Sequence, residues 1–259
     1  MLPGTIAPDS YMPSRVKKEL DWPVPIARGQ SGMKVKRVQE WLSLHGFAVL
    51  IDGDFGPATE QRVKDFQASK GIVATGRVEN RTHGALVQPL VTAIAPIDPT
   101  GKTLSRLILA YSLQHVAQHP REAGGDNRGP WVRAYLNHDG PDWKWCSGFV
   151  CFALEHAART LGVSAPIASS PSCDTMKANA SAQDLYHREG AVPVSKILPG
   201  SFFLVRRTST DWTHIGIVSK AEADFIRTVE GNTNNEGSVN GYEACERARN
   251  YAKKDFIIW

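Results

Sequence analysis

Two periodicities are kept apart along this chain, and that separation constrains its fold most. Up to about Gly162, apolar residues recur at helical spacing in one segment after another. Val35, Val38, Trp41 and Leu42 form one stripe, with Gly46 as the stop. Val63 and Phe66 form a second, ended by Gly71, and a short third helix is predicted over Asn80 to Val87. A fourth helix is expected from Thr103 to about Gln118, with Leu104, Leu107, Ile108, Tyr111 and His115 on one face. Phe149, Val150, Ala153, Leu154 and Ala157 mark a fifth. After Pro199 the pattern changes to short alternating runs at Ser201–Arg206, His214–Ser219, Phe225–Glu230 and Asp255–Trp259. In the second half helices precede strands, which predicts an α+β class with an antiparallel sheet.

Proline and glycine divide the chain. Residues 1–27 carry Pro3, Pro8, Pro13, Pro23 and Pro25 and read as an extended arm. Residues 28–88 hold the first three helices, enough for a small three-helix domain. Residues 89–101, with Pro89, Pro96 and Pro99, read as a semi-rigid linker, and residues 102–259 form the second domain.

The 259 residues carry a net charge of +4 without any basic run, so the pattern does not call for nucleic acid as a partner. No stretch approaches the roughly 18 apolar residues of a membrane span, so no membrane insertion is expected. The Met1–Pro8 start lacks a signal-peptide pattern, which predicts cytoplasmic synthesis and action elsewhere only after release. A monomer is expected. The four cysteines, Cys146, Cys151, Cys173 and Cys245, show neither zinc spacing nor a disulfide framework. His115 and His119 lack a third ligand, and Asp126, Asp139 and Asp142 are scattered, so neither metal nor cofactor is expected.

One constellation carries chemistry. Cys146 stands where the fifth helix begins, and unpaired N–H groups with the positive end of the helix dipole favour a thiolate there. The runs at His214 and Phe225 predict a hairpin. With its turn at Glu222, His214 falls directly opposite Glu230, sixteen residues on. Opposed residues have Cβ atoms roughly 5 Å apart. Asn232 lies on the same side, and Gly216 is expected to leave open space beside the histidine. The parts are a nucleophile (Cys146), a base (His214) and an orienting carboxylate or amide (Glu230 or Asn232).

Two resemblances add to this reading. Gly32, Val35, Val38-Gln39, Leu42, Gly46-Phe47, the turn Asp52-Gly53-Asp54-Phe55-Gly56, and Val63, Phe66-Gln67 before Gly71 resemble the peptidoglycan-binding domain found beside many wall hydrolases. Trp145-Cys146-Ser-Gly-Phe149-Val150, Pro199-Gly-Ser-Phe-Phe, His214-Ile-Gly-Ile-Val and Val229-Glu230-Gly-Asn232-Thr resemble the cysteine, histidine-dependent amidohydrolase/peptidase (CHAP) domain, a papain-like fold. Ser201 departs from that pattern, where aspartate often follows the glycine. The second resemblance implies Cys146 as nucleophile, His214 as base, Glu230 as orienting residue and Asn232 in support. Together the two resemble a phage endolysin: a peptidoglycan hydrolase, amidase or endopeptidase, with bacterial peptidoglycan as partner. The alternatives are a wall-hydrolase effector delivered to rival bacteria and a non-catalytic wall-binding or virion structural protein.

Overall fold

A computed structural model of the protein describes residues 12–234 and 240–259. In chain order its helices are α1 Ser14–Leu20, α2 Met33–Leu44, α3 Pro57–Ser69, α4 Asn80–Ala93, α5 Leu104–Val116, α6 Pro130–Leu136, α7 Cys146–Leu161 and α8 Cys173–Ser181. The strands are β1 Tyr186–His187, β2 Phe202–Arg206, β3 Trp212–Ala221, β4 Phe225–Thr233, β5 Glu243–Asn250 and β6 Lys254–Ile257. No described helix is long and apolar enough to cross a membrane. The class is α+β, and the chain divides into two compact units.

The first unit holds the described residues up to Thr92, together with Arg121–Pro141. Its core includes Val35, Val38, Trp41, Leu42, Val63 and Phe66, the helical stripes read from the sequence, joined by Phe55 of the intervening turn and Leu86 of α4. Two buried glutamines organise the turns. Gln39 accepts the Gly53 N–H at 2.8 Å and donates to Asp52 Oδ1 at 2.8 Å and Thr59 Oγ1 at 3.2 Å. Gln67 repeats the device one helix later, accepting the Gly76 N–H at 2.9 Å and donating to Thr82 Oγ1 at 2.9 Å. Asp52 also accepts the Asp54 N–H at 2.9 Å, as a turn-forming aspartate does.

Three expected boundaries move. Residues 1–11 of the expected arm lie outside the described residues, but 14–20 form helix α1 rather than extended chain. Val16, Trp22 and Ile26 are buried, and Ile26 bridges to Val78, so apolar burial overrides the proline signal. The linker expected from residue 89 begins later, because α4 runs on through Pro89 to Ala93. Leu86, Leu90 and Ala93 continue one buried stripe there, which offsets the roughly 3 kcal/mol a helical proline costs. Residues 121–141, expected in the second domain, pack in the first unit. Arg133 forms a bidentate pair with Glu19 at 2.9–3.0 Å and bonds Glu40 at 2.5–3.1 Å and Asp139 at 2.8 Å. Trp131 meets Trp41 edge-on at 5.9 Å.

The second unit holds Ala93–Pro120 and Asp142–Trp259. Its six-stranded sheet has the order β1-β6-β2-β3-β4-β5, with every described pairing antiparallel. Helix α5 is capped at Thr103, whose side chain accepts the Arg106 N–H, and α7 ends on the left-handed Gly162. Leu107, Ile108 and Tyr111 of α5 and Phe149, Val150 and Leu154 of α7 are buried. Gly231 on β4 lets the start of α7 approach the sheet. A Cβ there would stand 2.6 Å from Phe149 Cβ and 2.9 Å from the Trp145 ring. Sequence periodicity misses α8, β1 and β5, which are short or dominated by polar residues.

Candidate active site

Cys146 is the first residue of α7, whose N-terminus has no side-chain cap. The start of the helix is fixed instead by Asn232, whose Oδ1 accepts the Trp145 N–H at 3.2 Å while its Nδ2 donates to the Gly241 carbonyl at 2.6 Å. Asn232 takes a left-handed backbone, φ 53°, which asparagine tolerates better than most residues.

His214 lies on β3 and Glu230 on β4, and their hydrogen bond, Nε2 to Oε2, is 2.8 Å. They are not directly opposed as expected. The connecting turn spans 222–225, and a bulge between Val218 and Lys220 leaves Ile217 opposite Val229. Continued, that register puts Gly216 opposite Glu230 and His214 two residues along. A two-residue shift keeps both side chains on one face, and the diagonal distance lies within reach of a glutamate. Nor is the space at Gly216 open. A Cβ there would stand 2.5 Å from the Phe203 ring and 2.9 Å from Glu230 Cγ, so the missing side chain makes room for the carboxylate to cross to the histidine.

Glu230 is fully buried and saturated with donors. Besides His214 it accepts the Thr228 hydroxyl at 2.5 Å and a bidentate Arg249 at 2.6 Å to each oxygen. Burial opposes its ionisation, but the bonds from Arg249 and His214 hold its pKa well below the usual carboxylate range. Burial also disfavours a charged His214. Its hydrogen bonds to Cys146 and Glu230 outweigh that and raise its pKa to about 9.

The Cys146 thiol is lowered well below the usual range. The cause is first a hydrogen bond from Cys173, whose sulfur is 4.0 Å away, then His214 and the Ile215 N–H, against the effect of burial. The other three cysteines move the opposite way: Cys173 is raised by sharing its proton with Cys146, and Cys151 and Cys245 are raised by burial. One cysteine of four is therefore poised as a thiolate, beside an imidazolium backed by a carboxylate.

Cys173, Arg249 and Thr228 are the site residues that sequence reasoning did not single out. Cys173 heads a helix in a Ser- and Pro-rich stretch, and Arg249 sits on a strand reading Glu-Ala-Cys-Glu-Arg-Ala-Arg-Asn. That strand is polar and mostly half-buried or exposed, so it lacks the apolar alternation by which a strand is read from sequence.

A family model for a peptidoglycan binding domain matches residues 31–86. The zinc D-Ala-D-Ala carboxypeptidase of Streptomyces albus G is 31% identical over 88 residues, which cover 33% of this chain and 34% of that protein. The chain thus spans about a third of that relative's length. No solved structure matches the chain significantly. Residues 31–86 thus match a peptidoglycan-binding domain, which supports peptidoglycan as a partner.

Proposed function

We propose that the second unit is a cysteine amidohydrolase or peptidase that cleaves an amide bond in the peptide of bacterial peptidoglycan, to which the N-terminal domain brings it. The observation that carries this reading is the Cys146–His214–Glu230 array, with the Cys146 thiol lowered and the His214 imidazole raised to about 9. The peptidoglycan-binding match, and a partial relative named as a D-Ala-D-Ala carboxypeptidase, support the substrate class. Among the described residues no three His, Cys, Asp or Glu side chains are grouped to hold a metal ion.

The Cys146 thiolate attacks the carbonyl carbon of the scissile amide, and the carbonyl oxygen takes the charge. N–H groups at the start of α7, where Cys146 stands, stabilise that oxyanion. The His214 imidazolium gives its proton to the departing amine as the C–N bond breaks, leaving a thioester on Cys146. Neutral His214 then takes a proton from water, which attacks the thioester and releases the carboxylate. Glu230 fixes the ring and stabilises its charged form.

The test is digestion of purified peptidoglycan followed by mass spectrometry of the soluble fragments. The wild type is expected to release fragments with new amine and carboxylate ends at one bond type, and Cys146→Ala none. Fragments from Cys146→Ala at the wild-type rate would sink the reading.

A further inference from the structure

Cys173 makes or breaks no bond in the acyl transfer, yet its sulfur lies 4.0 Å from the nucleophile. Its position is built. Cys173 is the first residue of α8, whose cap Ser172 accepts the Thr175 N–H. The adjacent Asp174 accepts the Trp212 N–H at 2.8 Å, two residues before His214, and Lys177 packs over Trp212 and Tyr186. The helix is thus tied to the strand that carries the base. Cys151 is engaged elsewhere, with its sulfur 3.5 Å from both the Ser170 carbonyl and Met176 Sδ.

We propose that Cys146 and Cys173 form a reversible oxidative modification site, in which a small peroxide oxidises Cys146 and Cys173 closes the product to an intramolecular disulfide. The inference rests on reading Cys146 as the thiolate of the proposed function. The thiolate attacks one oxygen of hydrogen peroxide and the O–O bond breaks. The departing hydroxide takes a proton from the His214 imidazolium, giving water and a sulfenic acid on Cys146. Cys173 sulfur then attacks the sulfenic sulfur and the S–O bond breaks. The Cys173 proton leaves with that oxygen as a second water. Two thiols are oxidised and one peroxide is reduced to two waters. The sulfurs must close from 4.0 Å to the roughly 2 Å of a disulfide. Cys146 is 3% and Cys173 8% exposed, so both sulfurs lie largely out of bulk solvent. The disulfide both blocks the nucleophile and spares it from irreversible oxidation to the sulfinic acid.

The experiment treats the reduced full-length chain with a small excess of hydrogen peroxide, alkylates free thiols and maps peptides by mass spectrometry without reduction. The expected result is a linked peptide pair joining Cys146 to Cys173, loss of iodoacetamide labelling at Cys146, and full return of labelling after dithiothreitol. In Cys173→Ser the same treatment should carry Cys146 to the sulfinic acid, with labelling not recovered. Sulfinic acid on Cys146 of the wild type without the linked pair would overturn the proposal, as would linkage to Cys151 instead. The readout needs no wall substrate: failure of the amide-cleavage reading would leave the linked pair intact, while an unreactive Cys146 would defeat both.

Discussion

Glu230 carries the largest electrostatic load in the site: a buried carboxylate facing His214, Thr228 and Arg249 at once. Its bond to His214 helps keep that ring charged up to about pH 9, so the ring can supply the leaving-group proton below that value and loses it above. The rate of amide cleavage should therefore fall as pH rises through about 9. Because the thiol is lowered, the acid limb should lie below the ordinary thiol range, near 8.5. Glu230→Gln removes one source of the shift, so the alkaline limb should move down toward the ordinary histidine value and the rate should drop on the order of 100-fold. A pH profile of both proteins on soluble muropeptides checks this; an unmoved limb would contradict it. Asn232→Ala should act differently. Losing its bonds to the Trp145 N–H and the Gly241 carbonyl should cost about 1–3 kcal/mol of stability, read by urea denaturation, with a smaller loss of rate than Glu230→Gln. The His214–Glu230 pair was legible in the sequence because strand parity survives a two-residue slip. The partners that complete it were not, since Arg249 and Cys173 reach the site from polar elements whose pairing no local pattern announces.

The β3–β4 hairpin shows how an element can be legible while its register is not. Both strands alternate visibly, but the turn falls at 222–225 and a bulge takes up one residue. Gly216 then becomes a position where a side chain would collide with Phe203 and Glu230. Gly216→Ala should cost about 1–3 kcal/mol by overpacking and displace the carboxylate, lowering stability and rate together. Calorimetry with the muropeptide assay measures both, and a neutral substitution would contradict the register. The α5–α7 pair holds a second titratable device. His115 is buried against Phe149, Phe152 and His156, and burial first, then His156, lowers its pKa to about 3. The unfolded chain titrates near 6.5, so between those values it binds a proton that the folded chain refuses. Stability should thus fall as pH drops below about 6.5, by about 2 kcal/mol between pH 7 and 5, and be unaffected by this group at higher pH. Urea midpoints at the two pH values test this, and His115→Leu should flatten the dependence.

The whole chain is less modular than its sequence reads. Helical stripes revealed the N-terminal domain and strand alternation the α+β unit. No periodicity signals that residues 121–141 leave the second half to pack with the first. That preference lies in tertiary pairing, with Arg133 among Glu19, Glu40 and Asp139 and Trp131 against Trp41. A fragment beginning at residue 96 would carry this segment without Glu19, Glu40 or Trp41. Breaking a buried ion pair typically costs about 3–5 kcal/mol, and Arg133 would lose two of its three carboxylate partners, so limited proteolysis should cut that fragment within 121–141 while the full chain resists there. Equal resistance would show that the segment holds itself. The central claim, a thioester on Cys146, is tested most directly by acid-quenching the full chain during turnover of a soluble muropeptide and weighing the intact protein. An added mass equal to the acyl half of the substrate is expected, mapped to the Cys146 peptide and absent from Cys146→Ala. Product formation with no adduct, at an undiminished rate in that variant, would contradict the claim.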